Sequence, residues 1–373
     1  MDRKTQSSGA AAVILAAGMS RRMGRAEPKQ LLHLAGKPLL QHTLDNVRRS
    51  TMDEVVLVLG FAADSVLQQV MTDGVRLVMN PDYEQGMGTS LRAGISALGP
   101  SVDAAFAVLA DQPFVRPETL DRMVAYHRAS AAQITIPLYK GFRGNPVLLD
   151  RSVFPEVMGL SGDVGCRAIF GNHTQGIHKL DVDDPGILLD IDSFEDFEKL
   201  TQPGLGAELG SLPDLESREG IAAERPELVI VGRDAVARAL ARLAIVLGFT
   251  VIFVDPFLKV NDVPEASGVL HVMDFSRLAQ GKERYVVVAS RGQFDEEGVE
   301  QAVCSGAGYV ALLANIKRAS EIFSSLQLKG LPEERLAQVR APAGLEIGAE
   351  SPEEIALSIL AEMVKDRRKT PHE

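Results

Sequence analysis

A glycine and a run of cations follow the first apolar stretch of the chain, and their chemistry is that of an anion site. The stretch VILAAGMSRRMG covers residues 13–24. Glycine lets a ligand approach the backbone closely, and the amides at a helix start bind phosphate. The cations add fixed charge and hydrogen-bond donors. The pattern predicts a triphosphate cradle, although a basic surface turn has the same composition. Its members are Gly18, Arg21, Arg22, Arg25 and Lys29.

Two aspartates could hold a divalent cation beside such a triphosphate. Asp111 ends an apolar run, and Asp192 lies in the segment LDIDSFEDF at 189–197, where it alternates with apolar residues as in a strand. A carboxylate at a strand end suits Mg²⁺, which binds one or two carboxylates together with phosphate oxygens and water. Both aspartates also precede helical sequence, so helix capping explains them equally well from the residues alone.

The elements that must position these residues alternate between short β-rich runs and helical segments. The predicted strands of the first half are 12–16, 54–60, 75–79, 104–110, 133–138 and 146–149, and the predicted helices are 38–50, 62–71, 89–98 and 117–129. This alternation indicates a mostly parallel sheet that helices cover on both faces. In such a sheet ligands bind where strands end and helices begin, as the cations and Asp111 do here.

A change in composition divides the chain, whose 373 residues exceed one typical core. Residues 201–226 are rich in Gly, Pro, Ser and Glu and predict a linker. A second alternating set follows, with strands at 228–231, 250–254, 285–289 and 309–313 and helices near 234–247, 295–306, 316–326 and 352–365. We expect an α/β protein with two doubly wound, Rossmann-like three-layer domains, at 1–200 and 227–373.

Charge and cysteine content exclude several function classes. A net charge of −11 argues against general nucleic-acid binding, although a local basic cluster can still bind a small anion. Cys166 and Cys304 lie far apart, which argues against a disulfide framework and fits a reducing compartment. The apolar run at 10–17 leads into arginines rather than a cleavage site, and no other run approaches a membrane span. We expect a cytoplasmic protein that does not contact a membrane.

Ordered motifs of the first half resemble the MobA-like nucleotidyltransferases, and among them the MocA-type molybdenum cofactor cytidylyltransferases. After VILAAGMSRRMG they are PKQLLHLAGKPLLQHTL (28–44), GMGTSLRAG (86–94), LADQP (109–113), GFRGNPVLL (141–149), SGDVGCRAI (161–169) and LDIDSFEDF. The resemblance implies Mg²⁺-dependent transfer of a cytidylyl group from CTP to the molybdopterin cofactor, with release of pyrophosphate. Guanine-specific relatives have glycine where this chain has Ala17, which favours CTP. The alternatives are GTP, another phosphate acceptor, or a non-catalytic cofactor carrier.

The same resemblance implies a role for each residue of the site. Arg22, Lys29 and Asp111 are the expected catalytic residues, and Asp111 and Asp192 are the expected metal ligands. The nucleotide is expected to contact Leu15, Ala16, Ala17, Gly18, Arg21, Arg22, Lys29, Gly88 and Ser90, in part through a loop whose following helix Thr89 or Ser90 would cap. The acceptor is expected to contact Arg143, Gly144, Asn145 and Asp163. Because the acceptor phosphate is already ionised at neutral pH, no general base is needed.

The second half has the outline of a dinucleotide-binding unit without its glycine fingerprint. In the segment at 228–256, Asp234 and Ala237 stand where the second and third glycines belong, and Asp255 ends the second strand. A structural Rossmann core and a cofactor-binding one both remain open. VVVASRG (286–292), SGAGYVALL (305–313) and residues 341–364 resemble the C-terminal domain of XdhC-type maturation factors. This resemblance implies handling of the molybdenum cofactor for a xanthine dehydrogenase-like hydroxylase partner.

Overall fold

The computed structural model describes residues 9–18, 28–191, 214–217 and 225–368. The chain forms two compact units, of which the first is built from the described residues up to 191 and the second from those after 213, with 140–142 grouped in the second. Among the described residues, no helix is long and apolar enough to cross a membrane.

The first unit is an eight-stranded sheet with helices. Its strands are β1 (Gly9–Leu15), β2 (His33–Leu34), β3 (Lys37–Pro38), β4 (Glu54–Leu59), β5 (Arg76–Met79), β6 (Val102–Leu109), β7 (Ile134–Tyr139), β8 (Phe142–Arg143), β9 (Val147–Asp150) and β10 (Ile177–Asp181). Its helices are α1 (Leu39–Arg49), α2 (Ala63–Gln69), α3 (Met87–Ser96), α4 (Pro117–Ser130) and α5 (Phe154–Val157). The sheet order is β10-β7-β9-β6-β1-β4-β5 with β8 on β7, while β2 and β3 form a separate hairpin.

Strand β1 lies at the centre of the sheet because its residues GAAAVIL are small or apolar and are nearly all buried. It pairs in parallel with β4 and β6, and Leu15 at its end lies opposite both Val58 and Leu109. The three strands therefore end at one edge of the sheet. Since the chain continues from β1 to β4 and β5 on one side and later adds β6 on the other, the order reverses between β1 and β6. Ligands of open α/β sheets bind at such a reversal.

The second unit is a smaller, mostly parallel sheet. Its strands are β11 (Leu215–Ser217), β12 (Glu227–Val231), β13 (Thr250–Val254), β14 (Gly268–Leu270), β15 (Arg284–Val288) and β16 (Tyr309–Leu312). Its helices are α6 (Ala235–Val246), α7 (Asp295–Cys304), α8 (Ile316–Leu328), α9 (Glu333–Leu336) and α10 (Pro352–Arg367). The order β11-β14-β13-β12-β15-β16 reverses between β12 and β15, and β11 alone of these described strands runs antiparallel.

The predicted α/β class with two mostly parallel sheets is confirmed, and every strand and helix of the two alternating sets is present with its ends within three residues. The predicted strand through 189–191 is wrong, because those residues follow a 3₁₀ turn and pair with no strand. Within the predicted linker, 215–217 form β11 against β14. The linker's other residues lie largely outside the described ranges, so its boundaries stay a prediction.

Candidate functional site

The loop after β1 is held by hydrogen bonds to its backbone on two sides. The Ala16 N–H donates to the Val58 carbonyl at 3.0 Å, and the buried Gln30 amide donates to the Ala16 carbonyl at 3.0 Å. Ala16 and Ala17 are buried, whereas Gly18 is exposed and a Cβ placed on it would meet no atom within 4 Å. Gly18 leaves room for a ligand to approach the backbone, and its own backbone is not left-handed.

Lys29 and Asp111, both predicted catalytic residues, form an ion pair at this edge. Lys29 lies in a 3₁₀ turn at Lys29–Leu31, and its Nζ is 2.5 Å from Oδ2 of Asp111, two residues beyond the end of β6. Both side chains are mostly buried, with exposed fractions of 19% and 14%. Asp111 does not cap a helix, because α4 begins only at Pro117 with Arg116 at its N-cap. The capping explanation for Asp111 is therefore wrong.

Two consecutive residues at the end of β6 carry buried oxygens that have no hydrogen-bond partner among the described residues. They are Oδ1 of Asp111 and Oε1 of Gln112. A buried acceptor left unpaired costs about 1–3 kcal/mol, so native proteins keep few of them without a ligand, ion or water. Carboxylate and amide oxygens are the ligands that Mg²⁺ and similar hard cations prefer. The residues present at this strand end therefore fit a divalent cation.

Asp111 is the single described member of the predicted metal pair. Asp192 lies outside the described residues, as do Arg21, Arg22 and Arg25. Within the described ranges, no group of three or more His, Cys, Asp or Glu side chains is arranged to hold a metal. The last described residue before Asp192 is Ile191, and its N–H donates to the Asp111 carbonyl at 3.3 Å.

Residues predicted to contact the acceptor meet the same segment. The Asn145 N–H donates to the Ile187 carbonyl at 2.9 Å. Gly144 is required there, because a Cβ on it would lie 2.5 Å from that carbonyl oxygen. Arg143 is buried with its guanidinium 5.2 Å from the centre of the Phe170 ring, so the structure shows it in a packing contact.

The GMGTSLRAG and SGDVG segments also come together. Gly86 has a φ of +109°, and a Cβ on it would lie 2.4 Å from the Asp163 amide nitrogen, so only glycine fits. The Gly88 N–H donates to the Gly162 carbonyl at 3.1 Å, and Asp163 itself is exposed. Helix α3 begins at Met87 with no side-chain cap, so the predicted cap at Thr89 or Ser90 is wrong.

Asn80, which the sequence reasoning missed, holds the first turn of α3. Its side chain is buried, and its Nδ2 donates to Oγ1 of Thr89 at 2.9 Å and to Oγ of Ser90 at 3.0 Å. Its Oδ1 accepts the Asp82 N–H at 3.0 Å, which fixes the orientation of the amide. The pair Asn80-Pro81 directly after a strand was the available signal.

Two groups that could serve as base or nucleophile are unsuited to it. Burial lowers the pKa of His127, whose Nδ1 lies 2.9 Å from Oγ1 of Thr135 inside the fold. Burial raises the pKa of the Cys166 thiol to about 12, so that it is protonated at neutral pH. Both agree with a reaction that needs no protein nucleophile.

Comparisons with known proteins identify both units. Residues 12–177 match the MobA-like NTP transferase domain, and residues 228–363 match the XdhC Rossmann domain. Nicotine blue oxidoreductase of Paenarthrobacter nicotinovorans is 31% identical over 194 residues, which are 50% of this chain and 94% of that protein. The chain belongs to the MobA-like NTP transferase family. Its first unit is a nucleotidyltransferase domain, and its second is an XdhC Rossmann domain.

Other relatives match the chain in part. "Uncharacterized protein YqeB" of Escherichia coli K12 is 32% identical over 154 residues, and the match spans 39% of this chain and 28% of that protein. The solved structure of the Rv0371c homologue from Mycobacterium sp. strain JC1 is 32% identical and covers 52% of this chain and 94% of its own, with a TM-score of 0.47. Rv0371c of Mycobacterium tuberculosis in complex with manganese is 31% identical over 52% of this chain and 98% of its own, with a TM-score of 0.46.

The first βα turn of the XdhC Rossmann domain is filled by its own side chains. Gly232 has a φ of +114°, and a Cβ on it would lie 2.4 Å from the Ala289 carbonyl oxygen. Asp234 caps α6 by accepting the Ala237 N–H, and its other oxygen is 2.8 Å from Nε of Arg291. A carboxylate thus occupies the helix start where a dinucleotide pyrophosphate would bind.

The acidic residue at the end of β13 is likewise engaged. Asp255 is buried, and its Oδ1 accepts the N–H groups of Phe257 and Leu258 at 2.9 Å each. Nη1 of Arg233 lies 3.2 Å from the same oxygen. Oδ1 of Asp255 therefore shapes its own loop. The arrangement favours the structural interpretation of this Rossmann core.

Proposed function

We propose that this protein transfers a cytidylyl group from CTP to the phosphate of the molybdopterin cofactor, giving the cytosine dinucleotide and pyrophosphate. The observation that carries the proposal is the Lys29–Asp111 pair at the reversal of the first sheet, where one buried Asp111 oxygen has no hydrogen-bond partner in the described part of the chain. Membership of the MobA-like NTP transferase family supports nucleotidyl transfer. The nucleotide, the acceptor and the roles of individual residues are the proposed part.

The chemistry asked of the protein is positioning and charge neutralisation. An oxygen of the acceptor phosphate attacks the α-phosphorus of CTP, and the bond between the α-phosphorus and the β-bridging oxygen breaks, with its electrons leaving on pyrophosphate. A divalent cation on Asp111 and Asp192 supplies neutralisation of the triphosphate when it is bound. Lys29, with Arg21 and Arg22, binds phosphate oxygens, while Gly88 and Ser90 face the base and ribose. The acceptor is contacted by Arg143, Gly144, Asn145 and Asp163.

The proposed preference for CTP rests on Ala17. Its side chain is buried at the end of the loop, and a Cβ on Gly60 would lie only 2.9 Å from the Ala17 Cβ. The Ala17 methyl therefore packs in the core of the first domain at the end of this loop. The support for a pyrimidine nucleotide is that guanine-specific relatives have glycine at this position.

The XdhC Rossmann domain supports a second step after the transfer. We propose that the product is passed on through this domain to a xanthine dehydrogenase-like molybdenum hydroxylase, in the cytoplasm. A fusion of the two domains in one chain is consistent with cofactor synthesis and cofactor handling in one pathway.

The test is pyrophosphate release by the full chain with Mg²⁺, molybdopterin cofactor and either CTP, GTP or ATP, with the dinucleotide identified by mass spectrometry. Turnover with CTP and formation of the cytosine dinucleotide are expected. Turnover with GTP alone would overturn the nucleotide assignment. Turnover only with another phosphate acceptor would overturn the acceptor. A folded protein that binds the cofactor but releases no pyrophosphate would be a carrier. Redox turnover without pyrophosphate release would instead indicate an oxidoreductase, as the name of its Paenarthrobacter relative does.

A further inference from the structure

Gln112 has no assigned role, although it follows Asp111 directly and is 1% exposed. Its Nε2 donates to Oδ1 of Asp190 and, at 3.4 Å, to the Ile187 carbonyl. Both partners belong to the segment that also meets Asn145 through the Ile187 carbonyl. One buried amide thus joins the end of β6 to the segment that leads towards Asp192.

The orientation of this amide is fixed by its partners. A carboxylate and a carbonyl can only accept hydrogen bonds, so the nitrogen must face them and the oxygen must face elsewhere. Within the described ranges that oxygen is buried without a hydrogen-bond partner, like Oδ1 of the preceding Asp111. Two buried orphan acceptors on consecutive residues mark a place where donors or a cation arrive with a ligand.

A second glutamine in the same domain shows what a purely structural amide looks like. Gln41 is also buried, and its Nε2 donates to Oδ1 of Asp45 at 2.8 Å. Its Oε1, however, accepts the Met71 N–H at 2.8 Å, so that Gln41 is fully satisfied. Asp45 is 2.5 Å from Nζ of Lys37, which repeats the Asp111–Lys29 distance with no oxygen left over.

We propose that Gln112 is a positioning residue of the cation site. Its amide nitrogen holds Ile187 and Asp190 against the end of β6, and its amide oxygen accepts a hydrogen bond from water of the bound cation, which Mg²⁺ and Mn²⁺ retain. The role is that of an outer contact that orients the ligands and sets the affinity. The inference rests on the proposed function only in taking Asp111 as a cation ligand.

The test is Mn²⁺ binding to the full chain, measured from the electron paramagnetic resonance signal of free Mn²⁺, with and without CTP. Gln112→Met removes both hydrogen-bonding groups at nearly constant volume, and Gln41→Met makes the same change at the satisfied site. We expect Gln112→Met to raise the Kd for Mn²⁺ about tenfold, as loss of an outer contact does, and Gln41→Met to leave it unchanged. Both variants should lower the Tm. A loss of Mn²⁺ affinity in Gln112→Met alone therefore cannot be the result of lower stability. Wild-type Mn²⁺ affinity in a folded Gln112→Met protein would overturn the inference.

Asp190→Ala keeps the test decisive if Gln112→Met does not fold. It removes the carboxylate that Gln112 binds and leaves Gln112 in place, so the Kd for Mn²⁺ should also rise about tenfold. The double variant should show less than the product of the two effects, since one contact is lost in both. Unchanged Mn²⁺ binding in Asp190→Ala, or effects that multiply fully, would overturn the inference.

The outcomes separate this inference from the proposed function. A wild-type protein that binds Mn²⁺ but transfers no nucleotide contradicts the proposed function and leaves Gln112 as a positioning residue of a cation site. Nucleotide transfer whose Mn²⁺ dependence is unaltered in Gln112→Met contradicts the inference alone. At saturating Mn²⁺ we expect kcat of Gln112→Met to approach the wild-type value, because the change acts on metal affinity.

Discussion

The two sheets of this chain offer the same position for a ligand and use it differently. In each, the strand order reverses beside one inner strand, β1 in the first unit and β12 in the second, and a glycine-containing turn leaves that strand. In the first sheet the neighbouring strand end carries Asp111 and Gln112, each with a buried oxygen that has no hydrogen-bond partner among the described residues. In the second, Asp234 after β12 and Asp255 after β13 are bound to backbone amides and arginines.

The difference teaches that fold alone does not make a site. A reversal in the strand order creates a crevice, but ligand chemistry needs groups whose hydrogen bonds the protein has not completed itself. Asp234 accepts a hydrogen bond from the helix N-terminus that a pyrophosphate would use. Oδ1 of Asp111, by contrast, accepts none from the described residues. The comparison places nucleotidyl transfer in the first domain and predicts a Rossmann core in the second that does not bind a dinucleotide at its first turn.

The largest expected effect is that of Asp111→Ala. Loss of a metal carboxylate removes several kcal/mol of transition-state stabilisation, so pyrophosphate release should fall about a thousandfold or more. The variant should still fold but with a lowered Tm, because the mostly buried Lys29 loses its ion pair with Asp111. Asp45→Ala, which breaks an equally short ion pair with Lys37, is the matched control and should keep wild-type turnover. Normal turnover by Asp111→Ala would remove the basis of the comparison.

Asn80→Ala should have the next largest effect on nucleotide transfer. The variant tests whether the first turn of α3 is part of the first site. The two hydroxyls that Asn80 holds lose their donor, so Ser90 is no longer fixed. We expect KM for CTP to rise about fivefold with a smaller change in kcat, because one buried hydrogen bond contributes about 1 kcal/mol. Asn172→Ala, at an exposed amide bound to Glu156, is the control and should leave KM unchanged. An equal loss in both variants would show that Asn80 acts only through stability.

Asp234→Ala tests the other half of the comparison. It removes the N-cap of α6, which should lower the free energy of unfolding by about 1 kcal/mol. Nucleotide transfer should stay at the wild-type rate, and a fluorescence titration of the wild-type protein with NADH should show no saturable binding. Saturable NADH binding that weakens with changes at this turn would mean that the second sheet also uses its crevice.

The smallest expected effect is a pH dependence of stability. Because burial lowers the pKa of His127, the unfolded chain binds a proton there as the pH falls through the ordinary value of 6.5, while the folded chain does not. The His127 contribution is therefore fully present above that value and is lost as the pH falls below it. Urea unfolding at about pH 7.5 and about pH 5.5 should show a smaller loss in His127→Asn than in wild type. Exposed His33→Asn should keep the wild-type loss, and an equal loss in His127→Asn would contradict the account.

The sequence was a good guide to the elements and a partial guide to the site. The strands and helices followed from long apolar runs, and the Asp111 position followed from an acid at the end of such a run. The short strands β10 and β14 were missed because their few apolar residues give little periodic signal. The segment at 189–191 alternates like a strand, but Ile191 hydrogen-bonds to the Asp111 carbonyl outside any ladder.

The contacts that position the site could not be read from the sequence. Asn80 lies ten residues before Ser90, and Gln112 lies 78 residues before Asp190, so only the folded chain brings these pairs together. The Arg143 side chain shows the reverse case, since a cation predicted for the acceptor is buried over the Phe170 ring. Which polar atoms end without a hydrogen-bond partner depends on tertiary packing.

The most direct measurement is anomalous diffraction from crystals of the full chain grown with Mn²⁺ and CTP. We predict an anomalous peak at the end of β6, about 2.1 Å from an oxygen of Asp111, and none at the turn after β12. Lys29 should then have moved from Asp111 to the triphosphate. A nucleotide bound in the first domain with no metal peak at Asp111, or a peak at Asp234 instead, would contradict the assignment of chemistry to the first sheet.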